Sequence, residues 1–197
     1  MDGNYAFTVT RSSDAPQPYL QAESGNKDFE ITIWDVQDAQ QVFSFKPPLS
    51  LLHSISLNQS ESKADHFLCV SGRDFQKRDA IIIYNFDELI GQKRVEIYAR
   101  QLCDFDLVNI RFNDASPSSL VACGRENIRF FKIKNGHLPG QLVTLNNTAR
   151  GKTFCQSLVD FTIGEKGTRK ATTVYVTTQD GLLYFVNYGT RQIDKII

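Results

Sequence analysis

Short runs of alternating or continuous apolar residues recur along the chain, with polar turns between them. Runs of about five to nine residues with this pattern predict β-strands. The sixteen predicted strands cover residues 5–11, 18–24, 29–36, 40–46, 50–57, 67–72, 80–86, 95–101, 107–113, 119–124, 128–134, 141–145, 156–164, 171–178, 182–188 and 192–197. No segment sustains the 3.6-residue period of a long amphipathic helix, although a helical turn fits after Phe86. The chain is therefore predicted to be all-β.

The predicted strands fall into groups of four. The third strand of each group reads EITIWDV, AIIIYNF, NIRFFKI and GLLYFVN, with aromatic anchors at Trp34, Tyr84, Phe131 and Phe185. These anchors are 50, 47 and 54 residues apart. The second strands align too, as YLQAESG, FLCVSGR, SLVACGR and TVYVTTQ. A four-strand unit that recurs at this period is the signature of a β-propeller blade. We expect one domain over residues 1–197, with blades at about 5–46, 50–101, 105–147 and 156–197.

Two features of these repeats resemble the WD-repeat family. Trp34-Asp35 in ITIWDV matches the Trp-Asp pair of that family, and CGRENIRFFKI places a Cys-Gly-basic turn before an aromatic strand, similar to the blade edge of its microtubule-associated members. The chain looks most similar to centriolar and ciliary microtubule-associated WD-repeat proteins of the WD repeat-containing protein 90 type. It resembles the echinoderm microtubule-associated-protein-like proteins less closely. The resemblance implies a non-catalytic propeller that binds other proteins.

The chain also departs from the family pattern. The other third strands end in Tyr84-Asn85, Phe131-Lys132 and Phe185-Val186, and no Gly-His pair precedes a first strand. The buried network that the family builds from His, Ser or Thr, Asp and Trp is therefore expected to be mostly absent. Propellers generally close at four to eight blades, and WD-repeat propellers usually have more than four. We expect a segment of a larger propeller.

Composition excludes several classes of partner. The chain has 22 basic and 22 acidic residues, so no global charge attracts nucleic acid or a membrane. No apolar run is long enough to span a bilayer, and no signal peptide is visible. The four cysteines form no C-x-x-C pair, which argues against zinc and favours free thiols in a reducing compartment. We expect a cytoplasmic, cytoskeletal protein that binds neither nucleic acid nor membrane.

Catalytic and metal-binding patterns are missing from the sequence. His53, His66 and His137 are far apart, and no nucleophile elbow, phosphate loop or metalloprotease motif occurs. We therefore expect no catalytic residue, no cofactor, no metal and no small-molecule substrate. A propeller enzyme is kept as a minor alternative.

Several residues have a predicted structural role. Asn135-Gly136 and Asp180-Gly181 are expected to form hairpins with turns of the primed type. Cys69 and Cys123, in second strands, are expected to pack between blades. Gly124 is expected to let the chain turn. Pro47-Pro48 suits the crossing from the first blade to the second.

Charged loops give the one candidate binding surface. In a propeller, the loops between second and third strands share a face with the crossings between blades. The residues expected there are the basic Lys27, Lys46, Arg73, Lys77, Arg78, Arg100, Arg125, Arg150 and Lys152 and the acidic Asp28, Asp74, Asp79, Asp104, Glu126 and Asp180, an excess of nine minus six, or three. Phe75 lies among these charges, and an aromatic residue beside arginine is typical of a binding hot spot. The predicted partner-binding residues are Arg73, Phe75, Lys77, Arg78, Arg125, Arg150 and Lys152.

These observations predict a protein-interaction scaffold. A mildly basic face suits an acidic protein surface such as that of tubulin. With the resemblance above, this favours a role in a centriole, basal body or cilium. The alternative is a signalling scaffold that binds kinases, because the same fold serves both and the loops do not identify the partner.

Overall fold

A computed structural model of the chain describes residues 5–11, 29–58, 60, 65–114, 116–145, 147–163 and 169–197. Within these residues the chain forms fifteen strands. The strands are β1 (Tyr5–Arg11), β2 (Phe29–Asp35), β3 (Gln40–Phe45), β4 (Leu51–Leu57), β5 (Phe67–Arg73), β6 (Asp79–Asn85), β7 (Ile97–Leu102), β8 (Leu107–Asn113), β9 (Ser116–Gly124), β10 (Asn127–Lys132), β11 (Gly140–Leu142), β12 (Phe154–Ile163), β13 (Arg169–Thr178), β14 (Leu183–Asn187) and β15 (Ile193–Ile196). A short 3-10 helix covers Asn147–Ala149.

The strands form four antiparallel sheets, each made of strands that are consecutive in the chain. The first sheet contains β1 to β3, the second β4 to β7, the third β8 to β11 and the fourth β12 to β15. Consecutive antiparallel strands need only short turns, which is why polar turns separate the apolar runs. The assignment of residues 1–197 to a single domain stays a prediction.

The first sheet differs from the expected strand order. The predicted strand at 18–24 lies outside the described residues. β1 pairs directly with β2, from Tyr5 opposite Asp35 to Arg11 opposite Phe29. β1 therefore occupies the place that β5, β9 and β13 hold in the other sheets, and the alignment of YLQAESG with the second strands was wrong. Periodicity could not show this, because two apolar runs precede β2 and either could pair with it.

Successive side chains of a strand point to opposite faces of its sheet, and the apolar ones pack each sheet against its neighbours. Ile31 and Ile33 of the first sheet meet Ile82 and Tyr84 of the second in one buried cluster. The opposite face of the second sheet packs on the third. The third sheet in turn packs on the fourth. The core is thus divided into three layers between four sheets arranged in a row.

One helix interrupts the second sheet. α1 (Phe86–Gly91) follows β6 directly, as the helical turn after Phe86 predicted. Asn85 caps it by accepting a hydrogen bond from the Glu88 amide at 3.1 Å. The acidic residues of the first turn, Asp87 and Glu88, also stabilise the helix because they lie at the positive end of its dipole.

The two predicted glycine hairpins have different turns. Asn135 and Gly136 both have positive φ angles, 49° and 75°, as a type I′ turn requires. Gly181 also has a positive φ, 87°, but Asp180 does not. The amide of Gly181 donates to the carbonyl of Thr178, so this hairpin has a type I turn followed by a left-handed glycine. The hairpin is confirmed, and the primed turn predicted for Asp180-Gly181 was wrong.

Candidate functional site

The crossings and the loops between second and third strands lie at one end of the sheets, here called the crossing face. Its loops are 74–78, 125–126 and 179–182, and its crossings are 46–50, 103–106 and 143–153. Hydrogen bonds join loop to crossing: the Ser50 amide donates to the Arg73 carbonyl at 2.7 Å, and the Arg125 amide donates to the Asp106 carbonyl at 3.0 Å. The loops of the candidate surface are therefore held by their neighbours.

A buried carboxylate organises the loop 74–78. The side chain of Asp74 is 1% exposed and accepts hydrogen bonds from the amides of Gln76 and Arg78, each at 2.9 Å. It also pairs with the guanidinium groups of Arg78 and Arg100, at 2.9 and 3.4 Å. Burial alone would raise the pKa of Asp74, but the bonds from Arg78 and Gln76 bring it below its usual value. The loop is thus folded around a negative charge.

Asp79 is a second buried carboxylate, at the start of β6. It accepts hydrogen bonds from His53 Nε2 at 3.1 Å, Arg73 Nε at 3.2 Å and the Leu107 amide at 2.8 Å. Burial works to raise the pKa of Asp79, and the hydrogen bonds from His53, Leu107 and Arg73 outweigh it, so the pKa is lowered. This residue joins the second sheet to the third. The second sheet thus has a polar network made with His53 and Arg73 and without the Trp of the family network, and the prediction that the family network is mostly absent stays a prediction.

The role of Gly72 and Gly124 in the structure differs from the turn-forming role that the sequence predicted for Gly124. Neither has a positive φ. A Cβ at Gly72 would lie 1.9 Å from the Leu51 carbonyl oxygen, and one at Gly124 would lie 2.2 Å from that of Asp106. Both glycines allow a close backbone approach at the crossing face, and the expectation that Gly124 turns the chain was wrong. The positive φ of that turn belongs to Glu126, at 51°.

A shallow groove lies on the crossing face between residues 150–153 and residues 179–180. The amide of Glu126 donates to the Lys152 carbonyl at 2.8 Å, and its carboxylate accepts from the Gly151 amide. Lys152 forms an ion pair with Asp180, which raises the pKa of Lys152 and lowers that of Asp180. The groove has a volume of about 240 Å³ and is lined by Arg150, Gly151, Lys152, Thr153, Gln179 and Asp180.

All seven predicted partner-binding residues lie on or at the edge of the crossing face, but they differ in their contacts. Arg73, Arg78 and Lys152 are committed to ion pairs with Asp79, Asp74 and Asp180. Among the described residues, Lys77, Arg125 and Arg150 are exposed and form no ion pair. Phe75 is 42% exposed. The role of this set in partner binding stays a prediction.

The charge balance of the face is smaller than predicted. Lys27 and Asp28 lie outside the described residues. Asp106, which the sequence count omitted, is exposed in a crossing of this face. The excess within the described part is eight basic minus six acidic residues, or two. Asp74 and Asp79 are buried, and their charges are balanced by the ion pairs with Arg73, Arg78 and Arg100.

Histidine and cysteine residues show no arrangement for chemistry. His53 pairs with Asp79, and His66 pairs with Asp87 at 3.3 Å. In the part of the chain that the structure describes, no group of three or more potential ligands is placed to hold a metal ion. Cys69 and Cys123 are buried between sheets, and burial raises the pKa of the Cys123 thiol to about 12. A raised pKa leaves little reactive thiolate.

Two further points concern membranes and a basic tract of the sequence. Among the described residues, no helix has the length and apolar character to cross a bilayer. The basic tract at 164–170 falls largely outside the described residues.

No family model matches the chain. Comparison with known proteins does find relatives. Centriole proteome protein 16 of Chlamydomonas reinhardtii is 26% identical over 209 residues, which cover 98% of this chain and 10% of that protein. WD repeat-containing protein 90 of Xenopus tropicalis is 23% identical over 162 residues, covering 80% of this chain and 8% of that protein. The chain thus spans about a tenth of the length of the curated relatives it matches.

A solved structure supports the architecture. The β-propeller domain of Cps50 (Swd1) from Myceliophteria thermophila superimposes with a TM-score of 0.61 at 9% identity, over 96% of this chain and 58% of that one. At this identity the match shows the fold alone, and its partial coverage fits four sheets of a larger ring. The resemblance to WD-repeat proteins of the centriolar type is confirmed by the relatives, and the chain folds as a segment of a β-propeller.

Proposed function

We propose that this chain is part of a non-catalytic scaffold that docks an acidic protein surface on its crossing face, in a microtubule-based structure such as a centriole, basal body or cilium. The observation behind the proposal is the loop 74–78. Its buried Asp74 fixes the backbone, so that Phe75 and Lys77 stand outward in a defined position. A loop that is ordered before binding loses little conformational entropy on docking.

The chemistry of the surrounding surface suits an acidic partner. Lys77, Arg125 and Arg150 are exposed cations without an ion-pair partner among the described residues. Phe75 adds an exposed apolar side chain to the same face, and aromatic residues with arginine are enriched at binding hot spots. Charges of this kind attract an acidic surface by long-range electrostatics, so binding should weaken as salt increases.

The absence of a catalytic role is supported by the kind of fold. WD-repeat propellers are typically interaction modules, and the two buried carboxylates of the crossing face, Asp74 and Asp79, are engaged in structural hydrogen bonds. Function in such folds resides in the exposed loops. The centriolar assignment is supported by the names of the relatives, which describe those proteins and become a proposal for this one.

Microtubule co-sedimentation with a salt titration tests the proposal. The wild-type chain should pellet with microtubules at low salt and be released as salt rises. We expect the variant Lys77→Glu/Arg125→Glu/Arg150→Glu to lose at least about tenfold in affinity, because it reverses three exposed charges. Arg73 and Arg78 are left intact, since they hold Asp79 and Asp74 and their loss would disturb the loop itself.

The matched control reverses three exposed lysines elsewhere, in Lys93→Glu/Lys132→Glu/Lys134→Glu. It changes the net charge by the same amount and should bind nearly as well as the wild type. Equal losses in both variants would mean that only net charge matters, which contradicts a specific crossing-face site. If the wild type does not pellet even at low salt, tubulin is not the partner, and a kinase-binding scaffold becomes the better hypothesis.

A further inference from the structure

The last strand of the second sheet, β7, lies on the outer rim of the propeller. The first strands β4 and β8 lie side by side, since the amides of Ile110 and Phe112 donate to the hydroxyls of Ser54 and Ser56, each at 3.1 Å. β7 is at the opposite edge of its sheet, where it pairs, among the described residues, with β6 alone. Propeller blades are arranged around a central channel, and their last strands face outward. Further blades of the ring would therefore leave the edge of β7 uncovered.

The backbone of β7 presents hydrogen-bonding groups to this rim. The Cys103 amide donates to the Asp79 carbonyl at 2.7 Å, so Cys103 and, two residues before it, Gln101 bond to β6. Bonded and non-bonded residue pairs alternate in an antiparallel ladder, and the backbone groups of Arg100 and Leu102 therefore point away from β6. The Leu102 carbonyl accepts from the Gln101 side chain at 2.7 Å, while the amides of Arg100 and Leu102 and the Arg100 carbonyl face the rim. Such an edge is a template for a further strand.

The side chains along this edge combine apolar surface with positive charge. Val95, Ile97, Tyr98 and Leu102 are each between 37% and 46% exposed. Ile97, Arg100 and Leu102 lie on one side of β7, because all three are opposite β6 residues of the core layer shared with the first sheet. That side is thus a row of two apolar side chains with a cation between them. Exposed apolar groups that cluster in this way mark interaction sites.

The charges around β7 favour an acidic partner. Arg100 shares the buried carboxylate of Asp74 with Arg78, at 3.4 and 2.9 Å, so two cations there balance one anion. On the other side of β7, a groove of about 400 Å³ lies between the strand and the segment 134–139. Lys134 lines this groove, is exposed and forms no ion pair with any residue that the structure describes. A strand added to β7 would therefore meet positive charge on both of its faces.

We propose that β7 binds an extended acidic segment of another protein, which joins the second sheet as a fifth strand. The backbone of the segment bonds to the outward amides of Arg100 and Leu102. Its apolar side chains pack on Ile97 and Leu102, with a carboxylate between them at Arg100, and the alternate carboxylates face Lys134. In this mode of recognition, backbone bonds supply affinity and alternate side chains supply specificity. The site uses none of the crossing-face cations of the proposed function.

A second copy of the chain suits this edge less well. Two β7 strands paired with each other would bring Arg100 and Lys134 of both copies together, and like charges on paired strands are destabilising. A register shift also leaves Tyr98 without a partner on β6, so the regular part of the edge is limited to residues 99–102. That length is enough for a short segment, and such bulges oppose the pairing of two whole sheets.

Fluorescence anisotropy of the whole chain with a labelled peptide of sequence TVEEEVT tests the proposal. As a strand, this peptide has its valines and central glutamate on one side and its other two glutamates on the opposite side. Two N-methylated versions form a matched pair, one methylated at both valine amides and the other at the two outer glutamate amides. Only one of these sets faces β7 in an added strand, so one version should lose at least about tenfold in affinity and the other less than about threefold. The charge-reversed peptide TVKKKVT should not bind.

A proline on the edge tests the same contact from the side of the chain. Leu102→Pro removes an outward amide and spares the bonds to β6, a position at which proline is tolerated. It should weaken TVEEEVT at least about tenfold, whereas Leu102→Thr, which keeps the amide, should weaken it less than about threefold. Circular dichroism verifies both folds.

Several results would overturn the proposal. These are no binding of TVEEEVT, equal affinity of the two methylated versions, equal binding of TVKKKVT, or a dimer in analytical ultracentrifugation that Leu102→Pro dissociates. The crossing-face variant Lys77→Glu/Arg125→Glu/Arg150→Glu should bind the peptide like the wild type, and Leu102→Pro should pellet with microtubules as the wild type does. Failure of one site is thus distinguishable from failure of the other.

Discussion

The carboxylate of Asp79 lies 2.8 Å from the backbone amide of Leu107 and accepts a hydrogen bond from it. Asp79 belongs to the second sheet and Leu107 to the third, so one side chain spans the joint between two sheets. The same carboxylate also accepts hydrogen bonds from Arg73 and His53. The backbone carbonyl of Asp79 accepts a hydrogen bond from the Cys103 amide at 2.7 Å. A residue that the sequence presented only as one charge of a loop is thus a junction of the fold.

We expect Asp79→Asn to destabilise the chain by about 2–4 kcal/mol. The substitution keeps the shape but places an amide group among three hydrogen-bond donors, and a buried donor without an acceptor is costly. Urea unfolding followed by circular dichroism measures the change. The control Asp194→Asn, at an exposed position of β15, should shift the free energy of unfolding by less than about 0.5 kcal/mol. Equal effects of both substitutions would contradict the role of Asp79.

Acid should weaken the chain through the two buried carboxylates. The pKa values of Asp74 and Asp79 are lower in the folded state than in the unfolded state, where the pKa of aspartate is about 3.9. Their contribution to stability is therefore complete above about pH 5 and is lost as the pH falls through the folded-state pKa values. Urea midpoints should stay constant from neutral pH down to about pH 5 and should then fall between about pH 5 and pH 3. In Asp79→Asn the slope should be shallower, and an unchanged slope would mean that Asp79 does not contribute.

Gly124→Ala should destabilise the chain by about 1–3 kcal/mol or more. The added methyl group would lie 2.2 Å from the Asp106 carbonyl oxygen, so either β9 or the preceding crossing has to move. Gly91→Ala is the matched control, because nothing lies within 4 Å of its Cβ position and it ends α1. That substitution should leave stability unchanged or raise it by up to about 1 kcal/mol. Thermal unfolding of the two variants measured side by side distinguishes them. If Gly124→Ala left the stability unchanged, the close approach of the Asp106 carbonyl to Gly124 would be contradicted.

Lys77→Gly should separate binding from stability. Lys77 has a φ of 63°, a conformation that costs a side-chain-bearing residue about 1 kcal/mol and glycine almost nothing. We expect the free energy of unfolding to be unchanged or to rise by up to about 1 kcal/mol. Microtubule affinity should fall nonetheless, because an exposed cation of the proposed site is lost. A variant that loses stability and binding together would indicate that Lys77 acts through the fold of the loop instead.

The sequence was sufficient to predict those features of the fold that follow from a regular pattern of residues. Alternation of apolar residues predicted most strands, and the spacing of Trp34, Tyr84, Phe131 and Phe185 predicted the repeated sheets. Asn135-Gly136 gave the correct turn because a type I′ turn requires two residues that tolerate positive φ. Such evidence is local or regularly repeated, so it can be read without coordinates.

Long-range contacts were beyond that approach. Two of the partners of Asp79, His53 and Leu107, lie 26 residues before it and 28 residues after it, and no local pattern marks either of them. Gly124 was predicted to be a turn residue because glycine often occupies turns. In the structure, the Asp106 carbonyl oxygen lies so close to Gly124 that it leaves no room for a side chain. Arg73 and Arg78 were grouped with the free cations although Asp79 and Asp74 are only six and four residues away, because the burial of these carboxylates is revealed only by the fold.

The separation of the core into three layers has a consequence for cooperativity. Each apolar layer is shared by two adjacent sheets, and the first and third sheets have no common layer. Structural coupling in such a row passes from neighbour to neighbour, as in other repeat architectures. Loss of the three-stranded first sheet would therefore reach the fourth only by way of both middle sheets. Amide exchange should be slowest in β5, β6, β9 and β10, and local opening should begin at the two outer sheets.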